Sequence, residues 1–102
     1  MIKLALFARF EAKPGKEKDV AAFLKTGLQL ANQEGKTPIW FALQLSPSVF
    51  GVFDAFHDEA GRQAHLTGEI AKALMANAET LFVGPPTIDK IDVLGLKNDG
   101  SV

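Results

Sequence analysis

The chain has 102 residues, eleven Lys or Arg against twelve Asp or Glu, and no cysteine. That length accommodates one domain around a single core, and a net charge of −1 leaves no electrostatic footprint for nucleic acid or an anionic membrane. Without cysteine there is no disulfide scaffold, thiolate catalysis or cysteine-ligated metal. No apolar run approaches the roughly 18 residues needed to span a bilayer, and no signal-peptide pattern is legible, so a cytoplasmic location is expected. Eight Phe, one Trp and no Tyr predict a strongly apolar interior.

In chain order, Ile2 to Glu11 alternates Ile2, Leu4, Leu6, Ala8 and Phe10 against Lys3, Ala5, Phe7 and Arg9, the period of a strand. Lys13-Pro14-Gly15 ends it, and Lys13, Lys16 and Lys18 read as the solvated start of a helix. That helix carries Val20, Phe23, Leu24, Leu28 and Ala31 as one apolar stripe, with Gly35 as its stop. Pro38 to Leu45 predicts a second strand. The turn Ser46-Pro47-Ser48 then leads into a third, Val49 to His57, most simply as a hairpin. Asp58 is placed to cap the next helix, Thr67-Gly68 to break it, and Glu69 to restart it with Ile70, Leu74, Ala78 and Leu81 inward. Pro85-Pro86 precludes further helix, and Thr87 to Leu96 predicts the last strand. Residues 1–97 read as a single domain and residues 98–102 as a flexible polar tail.

The order βαββαβ predicts a ferredoxin-like α+β fold: a four-stranded antiparallel sheet with its helices on one face. The other face of a monomer should be polar. Here the first three strands are apolar on both sides, and no third helix is available to cover the second. A homodimer packed sheet to sheet is therefore expected, since large exposed apolar patches mark interfaces.

The third strand also carries an anomaly. Alternation puts Phe50, Val52, Asp54 and Phe56 on one face, and an acid among three apolar neighbours is either paired or beside a cavity. His65, on the following helix, is placed to reach it, and the acid would then orient the imidazole and favour its charged form. Two readings follow. In one, His65 supported by Asp54 is a base that takes a phenolic proton; in the other, the pair is a buried tie between strand and helix. Trp40, Phe50, Phe56 and Phe82, with Phe7, Phe41 and Phe53, either line a flat aromatic pocket or form plain core. Arg9 either pairs with an acid such as Asp92 or meets an anionic ligand group, and His57 reads as surface or interface. The two histidines are too far apart, with too few acids at ligand spacing, to argue for a metal. No phosphate loop, dinucleotide fingerprint or nucleophile motif occurs.

Three segments, LFARFEAKPGKEKDVAAFL, WFALQL and FDAFHDEAGRQAHL, resemble the antibiotic biosynthesis monooxygenase family of dimeric α+β barrel proteins. The matching features are an acid two positions before an aromatic (Asp54, Phe56) and the element Ala64-His65-Leu66; the likeness covers residues 3 to 96. It implies oxidation of a quinol or polycyclic phenol without metal, flavin or other cofactor. Behind that leading reading stand a non-catalytic dimeric barrel that binds a small apolar molecule and, third, a purely structural dimer. The heme-degrading branch is disfavoured, because the first strand lacks its Asn and Met75 stands near where its axial histidine would fall. Polyketide-tailoring members use Asn, Trp and Arg; Arg9 and Trp40 lie outside the matching motifs, so those roles do not carry over.

Overall fold

A computed structural model describes residues 1–97; the tail expected at 98–102 lies outside the described residues. The elements run β1 (Leu4–Glu11), α1 (Glu17–Asn32), β2 (Ile39–Gln44), β3 (Val49–Phe56), α2 (Glu59–Leu66), α3 (Glu69–Leu81) and β4 (Thr87–Asp92). One antiparallel sheet has the order β2-β3-β1-β4, the ferredoxin-like arrangement expected from the element order. Local signals explain most of the boundaries. The carboxylate of Asp58 accepts the Gly61 N–H at 2.8 Å and caps α2. Gly68, in extended backbone, separates α2 from α3. Glu17 and Asp19 place negative charge in the first turn of α1, where the helix dipole favours it.

Four expectations shift. β1 begins at Leu4 rather than Ile2. β4 pairs only with β1, Leu4 opposite Asp92, so after one more bond, from Val93 N–H to the Lys3 carbonyl, it has no partner and does not continue to Leu96. α1 ends at Asn32, before Gly35. Leu28 is 47% exposed, because Gly27 takes the inward position beneath the Trp40 ring.

The sheet face toward the helices carries Phe10, Phe50 and Val52, which pack with Val20, Leu24, Leu81 and Phe82 into the main core. Phe10 and Phe82 stack with centroids 4.7 Å apart. Fully burying each such side chain contributes about 1.5–3 kcal/mol. The opposite face carries Phe7, Phe41, Leu43 and Phe53, and among the described residues no helix covers it. Phe41 is 55% exposed, with its ring 6.4 Å from that of Phe53. The Phe7 ring lies directly on Gly51, where a Cβ would stand 3.0 Å from it. On this same face Ala5 and Ala55, opposite one another, form a smaller cluster with Ile2, against which Ile39, Phe53, Ile91 and Val93 pack.

Candidate functional site

Asp54 sits on the helix-facing side of β3, directly opposite Leu6 of β1 and Trp40 of β2. The chain leaves β3 at Phe56 and enters α2 at Glu59, so α2 folds straight back over the strand it follows. His65, in the last turn of α2, thereby meets the acid: Nε2 lies 2.8 Å from Asp54 Oδ2. Its other nitrogen, Nδ1, lies 2.6 Å from Oε1 of Glu34, in the connection after α1. Thr37 Oγ1 donates to that same Glu34 oxygen at 2.9 Å, and the Phe56 ring stands 5.5 Å from the imidazole. Asp54 is 2% exposed and His65 7%, so that pair is shut away from bulk water, while Glu34 at the outer end of the carboxylate–imidazole–carboxylate row is part-buried.

Burial alone would lower the proton affinity of His65. The hydrogen bond and charge of Asp54, and then those of Glu34, outweigh it and raise the imidazole to about 9. Its place in the last turn of a helix favours the same charged form. Burial raises the Asp54 carboxyl above its ordinary range; the hydrogen bond and charge of His65 offset part of this, and the negative Glu34 adds to it. At neutral pH the row therefore holds an imidazolium between two carboxyl groups, and both ring nitrogens are donors already in use. Among the described residues, Oδ1 of Asp54 is buried with no hydrogen-bond partner, as are Oε2 of Glu34 and Nε1 of Trp40.

A cavity of about 140 Å³ lies between α1, α3 and the sheet. Leu6, Val52, Leu30, Ile70 and Leu74 make much of its wall, and Asp54, His65 and Trp40 border it. Beyond the imidazole, an open cleft of about 330 Å³ is bounded by Glu34, Lys36, Thr37, Gly68 and Glu69. His65 thus forms a partition between an apolar interior and a polar surface.

Of the residues singled out from the sequence, Asp54, His65 and Trp40 come together here. Phe50 and Phe82 belong to the main core rather than to the cavity wall, and Phe56 is buried behind the imidazole. Phe10 and Phe23 reach the cavity instead. Arg9 points away from the cavity, on the uncovered sheet face opposite Thr87 and Gly51. Its suggested pairing with Asp92 does not form, because Asp92 lies opposite Leu4 at the far end of the β1–β4 ladder. His57 is exposed. Sequence reasoning missed Glu34, whose setting Gln33-Glu34-Gly35 reads only as polar turn. It also missed Arg62, a buried cation on α2 that donates to the Ala5 carbonyl at 3.4 Å and pairs with Glu59 at 2.5 Å. Among the described residues no cluster of three or more His, Asp or Glu is placed to hold a metal, and no helix is long and apolar enough to cross a membrane.

Comparison with known proteins places this geometry. The chain is 60% identical to NE2512, a Nitrosomonas europaea protein of unknown function, over 99% of this chain and 98% of that one, with a TM-score of 0.95. Rv0793 of Mycobacterium tuberculosis superposes with a TM-score of 0.81 at 14% identity, covering 94% of this chain and 99% of its own. An antibiotic biosynthesis monooxygenase superposes at 0.76 and 18% identity, over 90% of this chain and 99% of that protein. At these lower identities the likeness is one of fold: the chain has the fold of antibiotic biosynthesis monooxygenases. No protein-family model matches the chain, and no curated protein matches its sequence.

Proposed function

We propose that the chain, which belongs to the same family as NE2512 of Nitrosomonas europaea, is a cofactor-independent monooxygenase acting on a quinol or polycyclic phenol. The observation that carries this reading is the unpartnered Oδ1 of Asp54, a buried carboxylate oxygen beside an otherwise apolar cavity. A buried acceptor without a partner is costly, and a ligand hydroxyl would satisfy it. Trp40 Nε1, on the strand position directly opposite, is a buried donor without a partner, suited to a second ligand oxygen. A flat hydroxy-aromatic molecule presents both groups on an apolar body.

In this mechanism Asp54, rather than His65, receives the proton. Both imidazole nitrogens are occupied, whereas Oδ1 is free and its carboxyl has an elevated proton affinity, as a general base requires. His65 stays charged beside Asp54 and stabilises the phenolate as it forms. Removing the O–H proton leaves an electron-rich ring that reacts directly with O2. One oxygen atom bonds to a ring carbon and the other leaves as water, so a quinol and O2 give a hydroxyquinone and water. O2 is the oxidant. The apolar wall excludes water from the reacting anion.

The uncovered face of Phe7, Phe41, Leu43 and Phe53 supports a homodimer packed sheet to sheet, as proposed for the assembly.

Oxygen uptake with a panel of hydroquinones and polycyclic phenols, wild type against Asp54→Asn, tests the reaction. Uptake lost in the variant supports it. Binding without uptake would favour a ligand-holding barrel instead.

A further inference from the structure

Resting on the reading of Asp54 as proton acceptor, we propose that Glu34 is a positioning residue of the same site. It takes the Nδ1–H of His65, so that the opposite nitrogen is aimed at Asp54 Oδ2 and Asp54 Oδ1 is left for the ligand.

An imidazolium has two N–H donors at opposite sides of its ring, and a buried one left without an acceptor is costly. Asp54 can satisfy only one of them. Glu34 reaches the other across the contact between the α1 connection and the α2–α3 break, and two features prepare it for that reach. The Thr37 hydroxyl donates to the same Oε1 and fixes the carboxylate. Gly68 leaves it room: a Cβ there would stand 3.1 Å from Glu34 Oε2 and 3.1 Å from the Ala64 carbonyl. The break between α2 and α3 therefore ends a helix and also admits a carboxylate to the back of the imidazole.

The charged and titratable groups that face His65 are few. β3 contributes Asp54, the connection after α1 contributes Glu34 and Lys36, α3 contributes Glu69 across the cleft, and α1 presents Leu30. Glu69 lies 3.6 Å from Lys72 on the surface, which leaves Glu34 as the second anion in contact with the ring. One negative charge in that position acts on both partners in the same sense. It favours the charged imidazole and, by like-charge repulsion, raises the proton affinity of Asp54. Glu34 thus makes Asp54 a stronger base without touching the ligand.

The test is a proton-NMR titration of the two histidines. Exposed His57 serves as the reference within the same molecule. In Glu34→Gln the fold is kept and the charge removed, so the His65 midpoint should fall by roughly one unit, a tenfold loss of proton affinity, while His57 stays in place. The acid limb of hydroquinone-dependent oxygen uptake should move to lower pH with it. Gly68→Ala, which keeps the charge but crowds the carboxylate, should shift His65 in the same direction by less. A folded Glu34→Gln protein whose His65 titrates as in the wild type overturns the proposal. The titration needs no turnover, so an absence of oxygen uptake in the wild type would count against the oxygenase reading alone.

Discussion

His65 Nε2 and Asp54 Oδ2 stand 2.8 Å apart, joining the last turn of α2 to the middle strand pair of the sheet at a point that bulk water does not reach. Because Glu34 holds the other side of the ring at 2.6 Å, removing the imidazole leaves the buried Asp54 carboxyl and the part-buried Glu34 carboxyl without the cation between them, whereas removing Asp54 leaves an imidazolium still paired. The two substitutions should therefore differ. His65→Ala should destabilise the protein by about 3–5 kcal/mol, the cost of breaking a buried ion pair, and Asp54→Asn by about 1–3 kcal/mol. Urea denaturation of the two variants measures the difference. Equal stabilities, or Asp54→Asn as the weaker protein, would contradict the three-member row.

The pH dependence of stability follows from the same row. His65 is raised from an ordinary 6.5 to about 9, so the folded state binds more protons than the unfolded chain between those values. Its contribution is whole below pH 6.5 and lost as pH rises through about 9. The elevated Asp54 carboxyl acts with the same sign at lower pH: its contribution also fades as pH rises. Calorimetric Tm values of the wild type should fall across that alkaline window, and those of His65→Ala should fall markedly less. A wild-type Tm that rises from pH 6.5 to 9 would exclude a charged imidazole in the fold.

Much of this was legible beforehand. Alternating apolar residues gave the strands, and Asp58 and Thr67-Gly68 marked the start and interruption of the second helical region, because caps and breaks depend on near neighbours. Asp54 and His65 stood out because an acid in an apolar alternation has to be explained. Glu34 did not stand out. Its role depends on a glycine 34 positions later and on how α1 ends above α2, and neither leaves a periodic trace. The fate of the phenylalanines was hidden for another reason. Alternation shows which sheet face a ring is on; whether it meets core or cavity depends on where α1 and α3 part. Phe50 and Phe82 lie where the layers close, and Trp40 where they open. Leu28 points outward because Gly27, next to the Trp40 ring, takes the inward position, and a glycine leaves no apolar mark in the stripe.

Trp40 is the sole tryptophan and borders the cavity, so its fluorescence should report occupancy. Its indole N–H has no partner among the described residues, so Trp40→Phe forfeits no hydrogen bond and should cost about 1–2 kcal/mol of stability for the apolar area it removes. The same change should weaken binding of a hydroxy-aromatic ligand several-fold by calorimetry. Unchanged affinity would remove Trp40 from the ligand site.

The uncovered sheet face makes a separate prediction. Phe41, on the edge strand β2, is more than half exposed on it, and a charge there would be desolvated in a sheet-to-sheet dimer. Sedimentation equilibrium at micromolar concentration should give twice the chain mass for the wild type and the mass of one chain for Phe41→Asp. A monomeric wild type would refute the assembly.

The most direct measurement concerns the proton itself. Bound in the cavity at a pH where it is neutral in solution, a nitrophenol probe should show the red-shifted absorbance of its phenolate with the wild type and the neutral spectrum with Asp54→Asn. A neutral spectrum with the wild type, or a phenolate spectrum that survives the substitution, would show that this carboxylate does not take the proton.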